Sequence, residues 1–134
     1  MAKKIDYIYA IGRRKESSAR VRLYRGKGEN TINGAPADKY LVGEIAKKMV
    51  ARPFGATETS VKYYFSGRVS GGGKESQLDS LVLAISRALV KVAPEKNRIV
   101  LRKLNLLTRD HRARQRRMVG MGGKARRKRQ SPKR

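Results

Sequence analysis

The chain has no cysteine, no tryptophan, a single histidine and only ten acidic residues among 134. Without cysteine it forms neither a disulfide nor a thiolate metal site, which fits a reducing compartment. The lone histidine, His111, sits among arginines, so neither a Ser-His-Asp triad nor a multi-histidine metal centre can be assembled. The acids are scattered along the chain, which leaves no candidate pair of carboxylates for general acid–base chemistry. The chain therefore reads as no enzyme, with no cofactor and no small-molecule substrate. No apolar run approaches the roughly 20 residues that cross a bilayer, and the stretch from Met1 to Asp6 has no leader-like apolar segment.

What the chain has instead is positive charge. It carries 34 Lys and Arg and a formal net charge of +24. The last stretch, Arg109 to Arg134, holds twelve cations against one acid, Asp110. Its only sizeable apolar side chains are Met118, Val119 and Met121, too few for a core, and Gly120, Gly122 and Gly123 interrupt any helix. Residues 1–108 thus read as one globular domain and residues 109–134 as an extended basic C-terminal tail. The body is basic too, so the tail is more than a tag on a neutral domain. Nucleic acid is the polyanion such a charge balance most often serves. An anionic membrane is the rival partner, but the tail lacks the Trp, Phe and Leu face of an interfacial helix.

The hydrophobic pattern predicts an α+β body. Ile5, Tyr7, Tyr9 and Ile11 alternate toward a first strand ending at Gly12, and a basic connection runs from Gly12 to Ser18. Ala19, Val21 and Leu23 alternate with Arg20, Arg22 and Tyr24, a strand with one apolar and one cationic face. Gly26 and Gly28 close a hairpin to a short third strand over Glu29 to Asn33, followed by an Asn33-Gly34 turn. Helical spacing from Ala37 to Arg52 is interrupted at Gly43 and ended by Pro53. Val61, Tyr63, Phe65 and Val69 mark a fourth strand. The strongest helix carries Leu78, Leu81, Val82, Ile85, Ala88, Leu89 and Val92, opened by a Ser76–Asp79 capping signature and closed by Pro94. Asn97 to Leu104 reads as a shorter helix. The expected architecture is a small sheet of four to five strands with helices on one face.

Two glycine stretches fail the nucleotide fingerprints. In Gly71-Gly72-Gly73-Lys74-Glu75-Ser76 the lysine is followed by glutamate, and Gly26-Lys27-Gly28 has Thr31 where the dinucleotide motif needs glycine. The triplet reads first as a strand-to-helix turn requiring positive φ, and it leaves room for backbone amides that grip an RNA phosphate. Arg13, Arg14, Lys15, Arg20 and Arg22 cluster on the first two strands. They are either an edge that blunts strand pairing or, as the charge of the whole chain favours, a phosphate-binding surface. Tyr7, Tyr9, Tyr63 and Tyr64 are candidates for stacking on bases, but Tyr7, Tyr9 and Tyr63 follow the inward phase and are expected in the core; Tyr64 lies on the polar phase.

A series of short motifs runs through the chain: Gly12-Arg13-Arg14-Lys15 with Ser18-Ala19-Arg20-Val21, then Ala51-Arg52-Pro53. It continues with Gly71-Gly72-Gly73 before a helix ending Arg87-Ala88-Leu89, and with Leu107-Thr108-Arg109-Asp110, Lys124-Ala125-Arg126-Arg127 and a terminal Lys133-Arg134. Together and in this order they resemble the family of the ninth protein of the small ribosomal subunit, bacterial type. Ser76-Gln77-Leu78-Asp79 and Gln130-Ser131-Pro132 depart from the family's usual pattern. The resemblance implies a ribosomal S5 domain 2-like fold with a left-handed βαβ crossover, an exception to the usual hand. It also implies a cytoplasmic, ribosome-bound structural protein of the subunit head. Its partners would be small-subunit ribosomal RNA, neighbouring head proteins and peptidyl-site transfer RNA, and it would have no membrane partner. The ribosomal RNA ligands would be Arg13, Arg14, Lys15, Arg20, Arg22, Arg109, Arg112, Arg114, Arg116, Arg117, Lys124, Arg126, Arg127, Lys128 and Arg129. Lys133 and Arg134 would reach the transfer RNA anticodon stem-loop. A free-standing nucleic-acid-compacting protein is the alternative on composition alone.

Overall fold

The structure of the protein, a computed structural model, describes residues 6–124, 126, 128–129 and 131–132. It is α+β, as expected. Strands β1 (Tyr7–Arg14) and β2 (Ser17–Arg25) form an antiparallel hairpin. Its connection is only Lys15-Glu16, with Lys15 in the left-handed region at φ 51°. The basic loop expected from Gly12 to Ser18 is therefore mostly strand, because Arg13 and Arg14 continue the alternation of β1. Strands β3 (Thr31–Ile32) and β4 (Ala35–Pro36) make a second, very short hairpin. Asn33 and Gly34 both take positive φ at its turn, as a tight hairpin requires.

Helix α1 (Ala37–Tyr40) is separated from α2 (Glu44–Ala56) by Gly43, whose φ of 96° breaks the helical path where the glycine predicted it. Pro53, expected to end this segment, lies inside α2 and is buried with Phe54. Burial of Val50, Pro53 and Phe54 against the core offsets the one backbone bond that the proline removes. Strand β5 (Tyr63–Ser70), α3 (Lys74–Val92) and α4 (Pro94–Lys103) complete the body. Helix α3 starts one turn earlier than the Ser76–Asp79 signature implied. Ser76 sits in its first turn and accepts a hydrogen bond from the Gly73 amide at 3.0 Å. Pro94 opens α4, its missing N–H costing nothing at a first helical position.

The sheet order is β1-β2-β5-β3-β4. The hairpin expected between β2 and the third strand does not form. Antiparallel β5 lies beside β2, and the Gly26 amide donates to the Lys62 carbonyl at 2.8 Å. β3 runs parallel to β5, so α1 and α2 lie in the crossover between that pair, the unit to which the family resemblance assigns its left-handed turn. The Asn33 side chain fixes this junction, accepting from the Val69 amide at 2.8 Å and donating to the Val69 carbonyl at 3.0 Å.

One helix holds the body together. α3 packs across β1, β2 and β5 and also against α2 and α4. Leu81, Ile85, Ala88 and Leu89 meet Ala19, Val21, Leu23 and Phe65 in a core with almost no exposed area. Its Arg87 and Lys91 side chains donate to the Ile11 and Tyr9 carbonyls at 2.9 and 2.6 Å, on the outer edge of β1. After α4, Leu106 and Leu107 still pack on the core, and the described residues beyond Lys103 form no helix or strand.

Candidate nucleic-acid interface

Alternation gives the sheet two faces, and the helices cover only one. On β2 the inward set is Ser17, Ala19, Val21 and Leu23, as expected. On β1 the inward set is Ile8, Ala10 and Gly12, so Tyr7, Tyr9 and Ile11 are exposed on the other face. This reverses the phase expected for β1, and the cause is steric. A Cβ on Gly12 would lie 2.0 Å from the Ser80 carbonyl oxygen and 2.6 Å from the Ala84 nitrogen. At that point of the strand only a glycine can face the helix. Tyr63 alone of the three expected core tyrosines packs on the core.

The open face is built from cross-strand neighbours. Tyr9 lies opposite Arg22, Ile11 opposite Arg20 and Arg13 opposite Ser18. Across the next ladder Arg20 lies opposite Arg68, Arg22 opposite Ser66 and Tyr24 opposite Tyr64. A shallow depression of about 730 Å³ opens here, lined by Tyr9, Arg20, Arg22, Asn33, Gly34, Ser66, Gly67 and Arg68, with no acid among them. Arg20 and Arg68 form a direct like-charge cross-strand pair, an arrangement that costs stability in isolation. An anion between them would turn that cost into attraction.

An aromatic row borders the depression. Tyr24 and Tyr64 stack with centroids 5.2 Å apart, Tyr7 tilts against Tyr24 at 5.9 Å, and the Arg22 guanidinium lies 5.0 Å from the centre of the Tyr7 ring. Gly28 approaches Tyr64 so closely that a Cβ there would be 2.8 Å from the ring, so the loop after β2 covers that tyrosine. Sequence reading left Arg68 out of the expected ligands and placed Tyr7 and Tyr9 in the core. The signal for Arg68 was present, because it alternates with Phe65, Gly67 and Val69 on the polar phase of β5.

The other expected ligands are distributed unevenly. Arg13, Arg20 and Arg22 are exposed on the open face and Lys15 is exposed at the hairpin tip. Arg14 points the opposite way, into a cluster with Asp79 and Asp110. Arg109, Arg112, Arg114, Arg116, Arg117, Lys124, Arg126, Lys128 and Arg129 are all exposed. They do not lie along a straight segment, for Arg114 and Arg117 donate to carbonyls of Lys124 and Arg126 and the chain turns back on itself. Arg127, Lys133 and Arg134 lie outside the described residues. The Arg112 side chain and amide, with Arg14 beyond them, hold the Asp110 carboxyl far below the usual carboxylate range. At the glycine triplet Gly71 and Gly72 take φ of 77° and 61°, the turn the sequence predicted.

Among the described residues no His, Cys, Asp or Glu cluster fits a metal ion, and no helix is long and apolar enough to cross a membrane. Residues 12–134 match the family described as ribosomal protein S9/S16. The small ribosomal subunit protein uS9 of Maridesulfovibrio salexigens is 40% identical over 118 residues, covering 88% of this chain and 90% of its own. The protein of the same name from Cutibacterium acnes is 40% identical over 112 residues, 84% of this chain and 65% of its own length. A third, from Leifsonia xyli, is 40% identical over 84% of this chain and 67% of its own. With its five-stranded α+β body and a match that runs to its last residue, the chain belongs to the S9/S16 family of ribosomal proteins, structural components of the small subunit and not enzymes.

Proposed function

We propose that the chain binds ribosomal RNA in the head of the small subunit with two units, a body of residues 1–108 and a basic tail of residues 109–134. The body docks by the open face of its sheet. The observation that carries this reading is the Arg20–Arg68 pair beside Arg22 in a depression without acids. Phosphate neutralises those guanidiniums, while the exposed Tyr9 ring offers a platform for an unstacked base. The tail neutralises phosphates farther from the body, and its nine arginines against three lysines suit forked phosphate contact. Lys133 and Arg134 then reach the anticodon stem-loop of peptidyl-site transfer RNA, a reading that rests on their match to the family terminus. Neighbouring head proteins complete the surroundings.

Binding to small-subunit RNA, measured across salt concentrations, tests the body. Each lost phosphate contact lowers the slope of log K against log salt by roughly 0.7 to 0.9. Replacing Arg20, Arg22 and Arg68 together by Gln is expected to lower it by about 2 to 3. An unchanged slope would move the interface off this face. Deleting Lys133 and Arg134 is expected to weaken transfer RNA in the peptidyl site of purified subunits about tenfold, on the order of one charge-assisted hydrogen bond. Equal affinity would remove the tip from the decoding site and leave the body reading intact.

A further inference from the structure

Arg14 differs from the other cations of the first hairpin in where its side chain goes. It is two residues beyond Gly12 on β1 and follows that residue inward, keeping 13% of its side-chain surface exposed. Its Nε lies 3.4 Å from the Asp79 carboxylate on α3. Its Nη1 lies 2.8 Å from the Asp110 carboxylate and donates to the Arg112 carbonyl at 3.1 Å. From the far side Asp110 accepts from the Arg112 amide at 3.0 Å and from Arg112 Nη2 at 2.7 Å. Two cations and two anions thus cancel in a chain of net charge +24, and Asp110 is the only acid between Arg109 and Arg134. The tail's single negative charge sits at the point where the tail meets the body.

We infer that Arg14 is a positioning residue for the basic tail and is not one of the RNA-binding cations. It holds residues 110–112 against the N-terminal half of α3, so the tail leaves the body from a fixed point and in a fixed direction. A guanidinium suits the task because one planar fork reaches a helix carboxylate, a tail carboxylate and a tail carbonyl together. Fixing the root shortens the free segment, which raises the effective concentration of the remaining tail cations at the RNA. Only this last consequence rests on the RNA-binding reading; the clamp itself belongs to the free protein.

The test uses the full chain, isotopically labelled, and its backbone heteronuclear NOE. Residues 110–112 of the unaltered protein are expected to share the high values of α3. Arg14→Met and Asp110→Asn are each expected to lower them to the level of residues 116–119. Unchanged values in Asp110→Asn, a substitution outside the folded core, would overturn the clamp even if Arg14→Met disturbed the body. A second arm follows binding to small-subunit RNA against salt. Arg14→Met is expected to keep the slope of the unaltered chain, whereas a loss of roughly 0.7 to 0.9, the size of one phosphate contact, would make Arg14 an RNA ligand and overturn the assignment. Absence of RNA binding by the unaltered chain would refute the RNA reading alone, with the first arm still deciding the clamp.

Discussion

Gly12→Ala is the smallest substitution expected to disrupt the body. The added Cβ would stand 2.0 Å from the Ser80 carbonyl oxygen, 2.6 Å from the Ala84 nitrogen and 3.1 Å from the Ser80 carbonyl carbon. All three atoms are helix backbone, so no side chain can swing aside. Relief to a 3.0 Å contact requires α3 and β1 to part by about 1 Å, and a gap of 0.5–1 Å already forfeits a quarter to a half of each dispersion contact it opens. The contacts at risk belong to Leu81, Ala84, Ile85 and Ala88, all at 1% exposure or less. Overpacking costs about 1–3 kcal/mol where side chains can yield, so a loss of at least 3 kcal/mol is expected here, a large share of the ~5–15 kcal/mol that holds a domain folded. Urea unfolding followed by circular dichroism measures it as a lower midpoint at unchanged slope. A loss under about 1 kcal/mol would show that α3 slides freely over β1, and the steric account of the strand's phase would fail.

Asn97→Ala is expected to cost about 1–2 kcal/mol in the same assay, since the buried Asn97 side chain donates to the Leu89 carbonyl at 2.7 Å. A neutral result would mean water replaces that bond. Asp110 is expected to titrate below the usual 3.8, chiefly through its hydrogen bond from Arg112. Because its folded value is depressed, the clamp it makes is complete above pH 3.8 and is lost only as pH falls through the lower folded value. Carboxyl carbon shifts read this directly, and Arg112→Ala should move the midpoint back up. In the free protein, amides of Ser80 to Leu89 are expected to exchange only through global unfolding and those of Arg114 to Met118 at open-chain rates. Comparable protection in both segments would contradict the division into body and tail.

Elements whose signal is local were legible in the sequence. Ala19, Val21 and Leu23 alternate against charged partners, so β2 could be read for both existence and face. The long apolar stripe of α3 and the break at Gly43 were equally clear. β1 was not, because Ile8 and Ala10 are apolar as well as Tyr7, Tyr9 and Ile11, and a strand apolar on both faces does not declare which is buried. Its phase is set by the approach of a helix some seventy residues away at Gly12, a non-local fact. The parallel β3–β5 pair escaped for a similar reason: the two-residue β3 carries no pattern, and its partner lies beyond two helices. At the interface, the arginines on the polar phase of β2 were identified by alternation. Arg14 was grouped with them by charge, although its spacing from Gly12 assigns it to the inward set.

The central place of α3 also sets a timetable. β1 and β2 are complete by Arg25, yet the helix that covers Ala19, Val21 and Leu23 comes late in the chain. At a synthesis rate of ~5–20 residues per second, the stretch from Arg25 to Val92 takes roughly 3 to 13 s to appear. For that interval the apolar side chains of β1 and β2 stand uncovered beside the arginines of the same strands. That positive charge opposes association of the uncovered segment until α3 follows and buries Ala19, Val21 and Leu23.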